Sequence, residues 1–140
     1  VRIWRPYVIS ARNMFALPVL EPETRAWFSQ SLPEFVAAYD QVALMAMPYM
    51  EGAEDPEAWM DQLVDEVGKV PGALQKTVFE LQSVDWRTGE PVDSALLARQ
   101  FHRLQRQGVL NLGYYPDDFV NDHPELQDVA PALSARTTPH

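Results

Sequence analysis

Carboxylates, aromatic rings and amides gather where apolar runs of the sequence end. The members of this set are Tyr49, Glu51, Glu80, Gln82, Trp86, Tyr115 and Asp117. Two carboxylates that flank a glycosidic bond can hydrolyse it, one as the acid and the other as a base or nucleophile. Aromatic rings beside them suit sugars, because the C–H faces of a sugar are apolar and its hydroxyls lie at the edges. These residue types indicate a carbohydrate site.

Four apolar runs, with an amphipathic stretch between each pair, must position these side chains. The runs cover 7–13, 43–51, 76–82 and 109–117, and this spacing predicts consecutive βα units. The predicted fold class is α/β, with about four parallel strands and three crossover helices. A closed (β/α) barrel takes about 250 residues, so 140 residues correspond to about half of one. Either the sequence is a fragment, or the missing strands come from elsewhere. In such barrels the chemistry lies at the strand ends.

Capping signals and prolines predict the elements between the strands. Ser31 and Glu34 have capping-box spacing and predict the start of a first helix. A second helix is predicted to begin at Asp55-Pro56 and to end at Gly68, and a third to run from 93 to 107. Trp27 and Trp59 sit at helical spacing and are expected in the core. The predicted barrel portion covers 1–122. Residues 123–140, rich in proline and weakly periodic, are predicted to form a surface tail that frays near the end.

Alternation along the third run separates two faces. Lys76, Val78, Glu80 and Gln82 share one face and are expected inside the barrel, whereas Thr77, Phe79 and Leu81 share the face under the helices.

Two interpretations stay open for the lysine before the third strand and for two of the strand-end acids. The Lys76 ammonium either contacts a ligand or is neutralised by an acid in an internal polar layer. Glu51 and Asp117 either face the site or act only as helix N-caps.

Composition excludes several classes of function. A formal net charge of −9 with only two lysines opposes nucleic-acid binding, which needs clustered basic residues. No apolar run approaches the roughly 20 residues that cross a bilayer. There is no cysteine, the three histidines lack metal-ligand spacing, and no serine has a nucleophile-elbow context. We expect neither a metal nor a serine nucleophile in this portion.

Several motifs occur together in one order. They are Ala11–Phe15, Met45–Glu51, Lys76–Gln82, Asp85-Trp86 and Asn111–Asp117. In that order they resemble the C-terminal domain of the periplasmic poly-β-1,6-N-acetyl-D-glucosamine N-deacetylases of the PgaB type, from Gram-negative biofilm systems. The resemblance runs from about Tyr7 to Phe119 and identifies the chain as the latter half of that (β/α)-barrel domain.

The resemblance implies an exported lipoprotein with two domains. The first is a metal-dependent deacetylase whose divalent metal lies outside this portion. The second binds and cleaves partially deacetylated polymer during biofilm exopolysaccharide export. Implied partners are this polymer, the rest of the barrel, the deacetylase domain and an outer-membrane export porin. The implied location is the periplasm, held at the outer membrane by an N-terminal lipid anchor. The principal catalytic acid is expected before Val1.

Carried over by position, the resemblance implies a set of groove-lining residues. They are Arg12, Tyr49, Glu51, Lys76, Glu80, Gln82, Trp86, Tyr115 and Asp117. Glu80 is the candidate supporting acid. Glucosamine units are cationic, so an acidic groove favours deacetylated polymer. Two alternatives remain: a non-catalytic module that guides the polymer to export, and a scaffold whose acids are only caps.

Overall fold

The computed structural model describes residues 3–133. Its main sheet has four parallel strands in the order β1 (Ala11–Phe15), β2 (Gln41–Ala46), β3 (Thr77–Gln82) and β6 (Asn111–Tyr115). A short antiparallel hairpin, β4 (Val84–Asp85) and β5 (Glu90–Pro91), follows β3. The predicted α/β class with four parallel strands is confirmed.

Helices connect the parallel strands. They are α1 (Leu17–Leu20), α2 (Arg25–Phe28), α3 (Leu32–Ala38), α4 (Pro56–Gly68), α5 (Ala73–Lys76), α6 (Ser94–Arg106) and α7 (Leu126–Leu133), with a 3-10 helix at Pro22–Thr24. Asp55 N-caps α4 by accepting from the backbone N–H groups of Glu57 and Ala58. In the described part of the chain, no helix combines the length and apolarity that a bilayer crossing requires.

One face of the sheet is covered by helices. Thr77, Phe79 and Leu81 of β3 are fully buried there, against a core to which α4 contributes Met60 and α6 contributes Phe101. Burying such apolar side chains is the main favourable term in folding.

The other face is more open. Val78 and Glu80 of β3 are only half-buried, and so is Met45 of β2. The sheet therefore has the predicted alternation, with the helices on one side and the barrel interior on the other.

Three local features differ from the sequence-based predictions: the start of the first strand, the cap of α3 and the C-terminal segment. The first strand begins at Ala11 rather than at Tyr7, which is exposed. The capping box is not formed, because Ser31 makes no side-chain bond at the start of α3. Helix α7 occupies part of the predicted tail and buries Val129 and Ala132. The predicted fraying near His140 lies outside the described residues.

Candidate functional site

Glu80 lies on the open face of the sheet without a partner. Its neighbours in register are Met45 on β2 and Gly113 on β6, and neither carries a polar side chain. Among residues 3–133, none donates a hydrogen bond to its carboxylate or pairs with it. Burial raises the pKa of the Glu80 carboxyl. A half-buried carboxylate without a partner is free to bind a ligand.

Two aromatic rings form an exposed platform at the strand ends. The ring centroids of Trp86 and Tyr115 are 6.2 Å apart with an interplanar angle of 29°, and 42% and 57% of these residues remain exposed. Trp86 belongs to the β4–β5 hairpin, while Tyr115 is the last residue of β6. Exposed rings in this arrangement offer apolar faces on which a sugar can stack.

The platform adjoins Glu80. Tyr115 is in register with Gln82, two residues beyond Glu80 on the same face of β3. From strand spacing and rise, the Glu80 and Tyr115 Cα atoms lie about 8 Å apart. Adjacent units of one sugar chain can therefore reach the platform and Glu80.

The side-chain amide of Gln82 hydrogen-bonds to main-chain groups of neighbouring segments. Its side chain is buried, and its Oε1 accepts from the N–H groups of Tyr49 and Met50 at 2.9 and 3.0 Å. Its Nε2 donates to the carbonyl of Val84 at 2.8 Å. Gln82 therefore holds the loop after β2 and the start of the hairpin, and it positions its neighbours.

The loop after β2 carries a second carboxylate. Glu51 is half-buried, and both burial and the negative charge of Glu21 raise the pKa of its carboxyl. Tyr49, in the same loop, lines a cavity of about 270 Å³ with residues of the hairpin and the start of α6, among them Asp93 and Leu96. This loop thus brings an acid and a ring to the strand ends.

Asp117 is exposed just after β6 and accepts a hydrogen bond from the Tyr114 hydroxyl at 3.3 Å. Neither Asp117 nor Glu51 caps a neighbouring helix. Asp55 caps α4, and α7 begins at Leu126, well beyond Asp117. The capping alternative therefore does not account for these two acids.

The structure does not bring Lys76 and Arg12 to this end of the sheet. The Lys76 ammonium donates to the carbonyls of Val36 and Tyr39 at 2.8 and 3.1 Å, where α3 ends and before β2 begins. The Arg12 guanidinium lies 5.7 Å from the centroid of the Phe35 ring, on the helix-covered side of β1. Between Ile3 and Leu133, no acidic side chain pairs with the Lys76 ammonium, whose partners are these two carbonyls.

Trp27 departs from its predicted place in the core. It lies on α2, after the end of β1, and 92% of it is exposed. Pro18 and Pro22 interrupt this stretch and argue against the long amphipathic helix that would bury it. Trp59, by contrast, packs against the core as expected.

The described residues contain no group of three or more histidine, aspartate or glutamate side chains that could hold a metal ion.

Comparison with known proteins agrees with this geometry. The family GHL13, described as "Hypothetical glycosyl hydrolase family 13", matches residues 1–115. The chain belongs to this glycosyl hydrolase family. The resemblance predicted from the motifs is confirmed by sequence relatives as well. The chain is 40% identical over 139 residues to the poly-β-1,6-N-acetyl-D-glucosamine N-deacetylases of Escherichia coli K12 and O157:H7.

The chain covers only part of each relative. The match takes in 96% of the chain and 21% of each Escherichia coli protein, so the chain spans about a fifth of their length. A solved structure, the PgaB (BpsB) glycoside hydrolase domain from Bordetella bronchiseptica, matches with a TM-score of 0.88 and 51% identity. That match covers 91% of this chain and 36% of the other, and it confirms the barrel-type fold.

Proposed function

We propose that this chain supplies the latter half of the sugar groove of a glycoside hydrolase that cleaves partially deacetylated poly-β-1,6-N-acetyl-D-glucosamine. The observation that carries the proposal is Glu80, a half-buried carboxylate with no partner among residues 3–133, next to the exposed Trp86–Tyr115 platform. The similarity to poly-β-1,6-N-acetyl-D-glucosamine N-deacetylases and to a PgaB glycoside hydrolase domain supports this choice of polymer. Export of the polymer during biofilm formation is part of the same proposal.

The rings and acids have separate roles in the proposed groove. Trp86 and Tyr115 stack on sugar rings, while Glu80 binds hydroxyl or amino groups of the adjacent unit. Burial raises the pKa of the Glu80 carboxyl, and a raised pKa is the direction that suits a supporting acid. Glu51 and Asp117 add negative charge that attracts the ammonium groups of glucosamine units.

The principal acid is proposed to come from outside the described residues. Hydrolysis of a glycosidic bond uses two carboxyl groups on either side of it. At the level of Glu80 the register partners are Phe15, Met45 and Gly113, none of which is acidic. The remaining barrel strands are proposed to provide the missing carboxylate.

The family resemblance also supports proposals about the complete protein. We propose that it lies in the periplasm with a lipid anchor in the outer membrane, beside a deacetylase domain that holds the divalent metal, and that an export porin receives the polymer. This portion is proposed to work without a metal. Fractionation of cells and co-purification with the porin test these placements.

A second candidate function is a non-catalytic module that guides the polymer. The absence of a second carboxylate in register with Glu80, among the residues described, favours it for this chain taken alone. Product analysis separates the two functions, because a guiding module retains the polymer and releases no shorter oligosaccharides.

The deciding experiment uses the complete protein and partially deacetylated polymer. Glu80→Gln and Trp86→Ala are each expected to lower oligosaccharide release by at least about tenfold, because each removes a direct sugar contact. Glu54→Gln, a change of an exposed acid in the loop after β2, is the matched control and should leave release unchanged. Wild-type turnover in both test variants would remove Glu80 and Trp86 from the site.

A further inference from the structure

Gly113 lies in the middle of β6, where the backbone conformation does not require a glycine. The glycines with positive φ are Gly52, Gly72, Gly89 and Gly108, and Gly113 is not among them. Glycine in a strand costs stability, because it orders a flexible backbone and has no side chain to pack. A glycine at such a position often marks a place where a ligand comes close.

Packing in the described part of the chain does not require a glycine here either. A Cβ atom built on Gly113 would meet Val78 Cγ1 at 3.6 Å, an ordinary van der Waals distance, with no nearer atom. An alanine would therefore fit the sheet without displacing its neighbours.

The position of Gly113 ties it to the candidate site. It is the register partner of Glu80 on the open face, and Tyr115 follows two residues later on the same side of β6. On the opposite side of Glu80, the Met45 side chain fills the corresponding place. Beside Glu80 on β6, therefore, no side chain projects from the sheet, and the next residue on that side of the strand is Tyr115 of the platform.

We propose that Gly113 is a specificity-determining residue whose missing side chain admits a sugar unit of the polymer to the Glu80 carboxylate. This inference rests on the proposed function and adds to it. The sugar enters the space above Gly113 from the Trp86–Tyr115 platform, so that the ring stacked there and the unit that meets Glu80 are neighbours along one chain. A side chain larger than a methyl group at position 113 would occupy this space and hold the sugar away from Glu80.

The test is a series of side chains of increasing size in the complete protein, assayed on partially deacetylated polymer. Gly113→Ala is expected to keep kcat/KM within about threefold, because a methyl group fits. Gly113→Leu is expected to lower it at least about tenfold. Ala43→Leu puts the same leucine side chain on the same face, in register with Val78 and farther from the platform, and serves as the matched control. Thermal unfolding confirms that each variant is folded.

A double-mutant comparison separates blocked access from a general loss of packing. If Gly113 acts by admitting sugar to Glu80, Gly113→Leu costs at least about tenfold with Glu80 present and nothing further in the Glu80→Gln background. Equal losses in both backgrounds, or turnover within twofold of wild type, would overturn the proposal.

Two further outcomes are decisive. If Gly113→Leu does not fold, Gly113→Val takes its place, since β-branched residues favour strands, and unchanged turnover with valine overturns the proposal. If Glu80→Gln alone retains wild-type turnover, the proposed function fails and the role of Gly113 fails with it. Loss in Glu80→Gln with full turnover in Gly113→Leu rejects the role of Gly113 only.

Discussion

Charged groups just before β3 and near its end have opposite surroundings. Just before the strand, Lys76 is the last residue of α5 rather than part of the predicted strand, and its ammonium donates to two backbone carbonyls at the end of α3. Toward the end of β3, the Glu80 carboxylate has no partner among the described residues, and burial raises its pKa. Around β3, therefore, the Lys76 ammonium holds the end of α3 in place, whereas the Glu80 carboxylate is available to a ligand. In barrel enzymes this division separates stability from chemistry.

Gln82 lies at the boundary between these two roles. It is buried at the strand end, yet its amide bonds only to backbone groups of Tyr49, Met50 and Val84. It stabilises the loop and the hairpin that carry Tyr49 and Trp86. The site end thus contains its own supporting residue, and changes there should affect stability and binding together.

The largest effect on stability is expected at this boundary. Gln82→Leu leaves the N–H groups of Tyr49 and Met50 without an acceptor, and each unsatisfied buried group costs about 1–3 kcal/mol. We expect the free energy of unfolding of the complete protein to fall by roughly 2–4 kcal/mol in denaturant titrations. Polymer affinity should fall as well. Gln127→Leu, at an exposed glutamine of α7, is the control, and equal stability of the two variants would contradict this role.

A smaller effect is expected at the strand start. Lys76→Met removes the donor to the carbonyls of Val36 and Tyr39, and hydrogen bonds from charged groups contribute about 1.5–3 kcal/mol. We expect the free energy of unfolding to fall by roughly 1–3 kcal/mol with cleavage unchanged. The opposite result, normal stability with cleavage reduced tenfold, would mean that Lys76 contacts the substrate. The difference between Lys76 and Glu80 described above would then be wrong.

The smallest effect concerns pH. Because the folded pKa of Glu80 lies above its ordinary value of 4.5, the folded state binds this proton more tightly than the unfolded state. Stability from this group is therefore lost as pH rises from about 4.5 through the raised folded pKa.

Melting temperatures at two pH values check this sign. Glu80→Gln removes the penalty, so the variant should melt above wild type at pH 7, and the difference should vanish near pH 4. A variant less stable than wild type at pH 7 would mean that the carboxylate has a stabilising partner in the complete protein.

Local pattern was enough to predict much of the fold. The alternation of Thr77 to Gln82 predicted which residues lie under the helices, and Asp55 before Pro56 predicted the start of α4. These signals depend only on neighbours in sequence. The strand ends predicted from them carry Glu80, Trp86 and Tyr115, which the structure does bring together.

Long-range contacts were beyond the reach of sequence pattern. The partners of Lys76 lie 40 and 37 residues away, and those of Gln82 in the β2 loop lie 33 and 32 residues away. Helix α7 is stabilised by packing on α6, where the Gln105 side chain donates to the carbonyl of Ala132. A proline within α7 weakens its periodic signal. Such features depend on which segments meet in the folded chain.

The two ends of the β4–β5 hairpin are bonded to each other, and this matters for engineering. The Val92 N–H donates to the Ser83 carbonyl at 2.8 Å, and Asp85 pairs with Arg87 within the turn. Because its two stems pair with each other, at Val84 with Pro91 and at Asp85 with Glu90, the hairpin is a local unit, and the turn that carries Trp86 is a natural place to insert another loop. Libraries of turns grafted between these stems would explore which polysaccharides the proposed groove can accept.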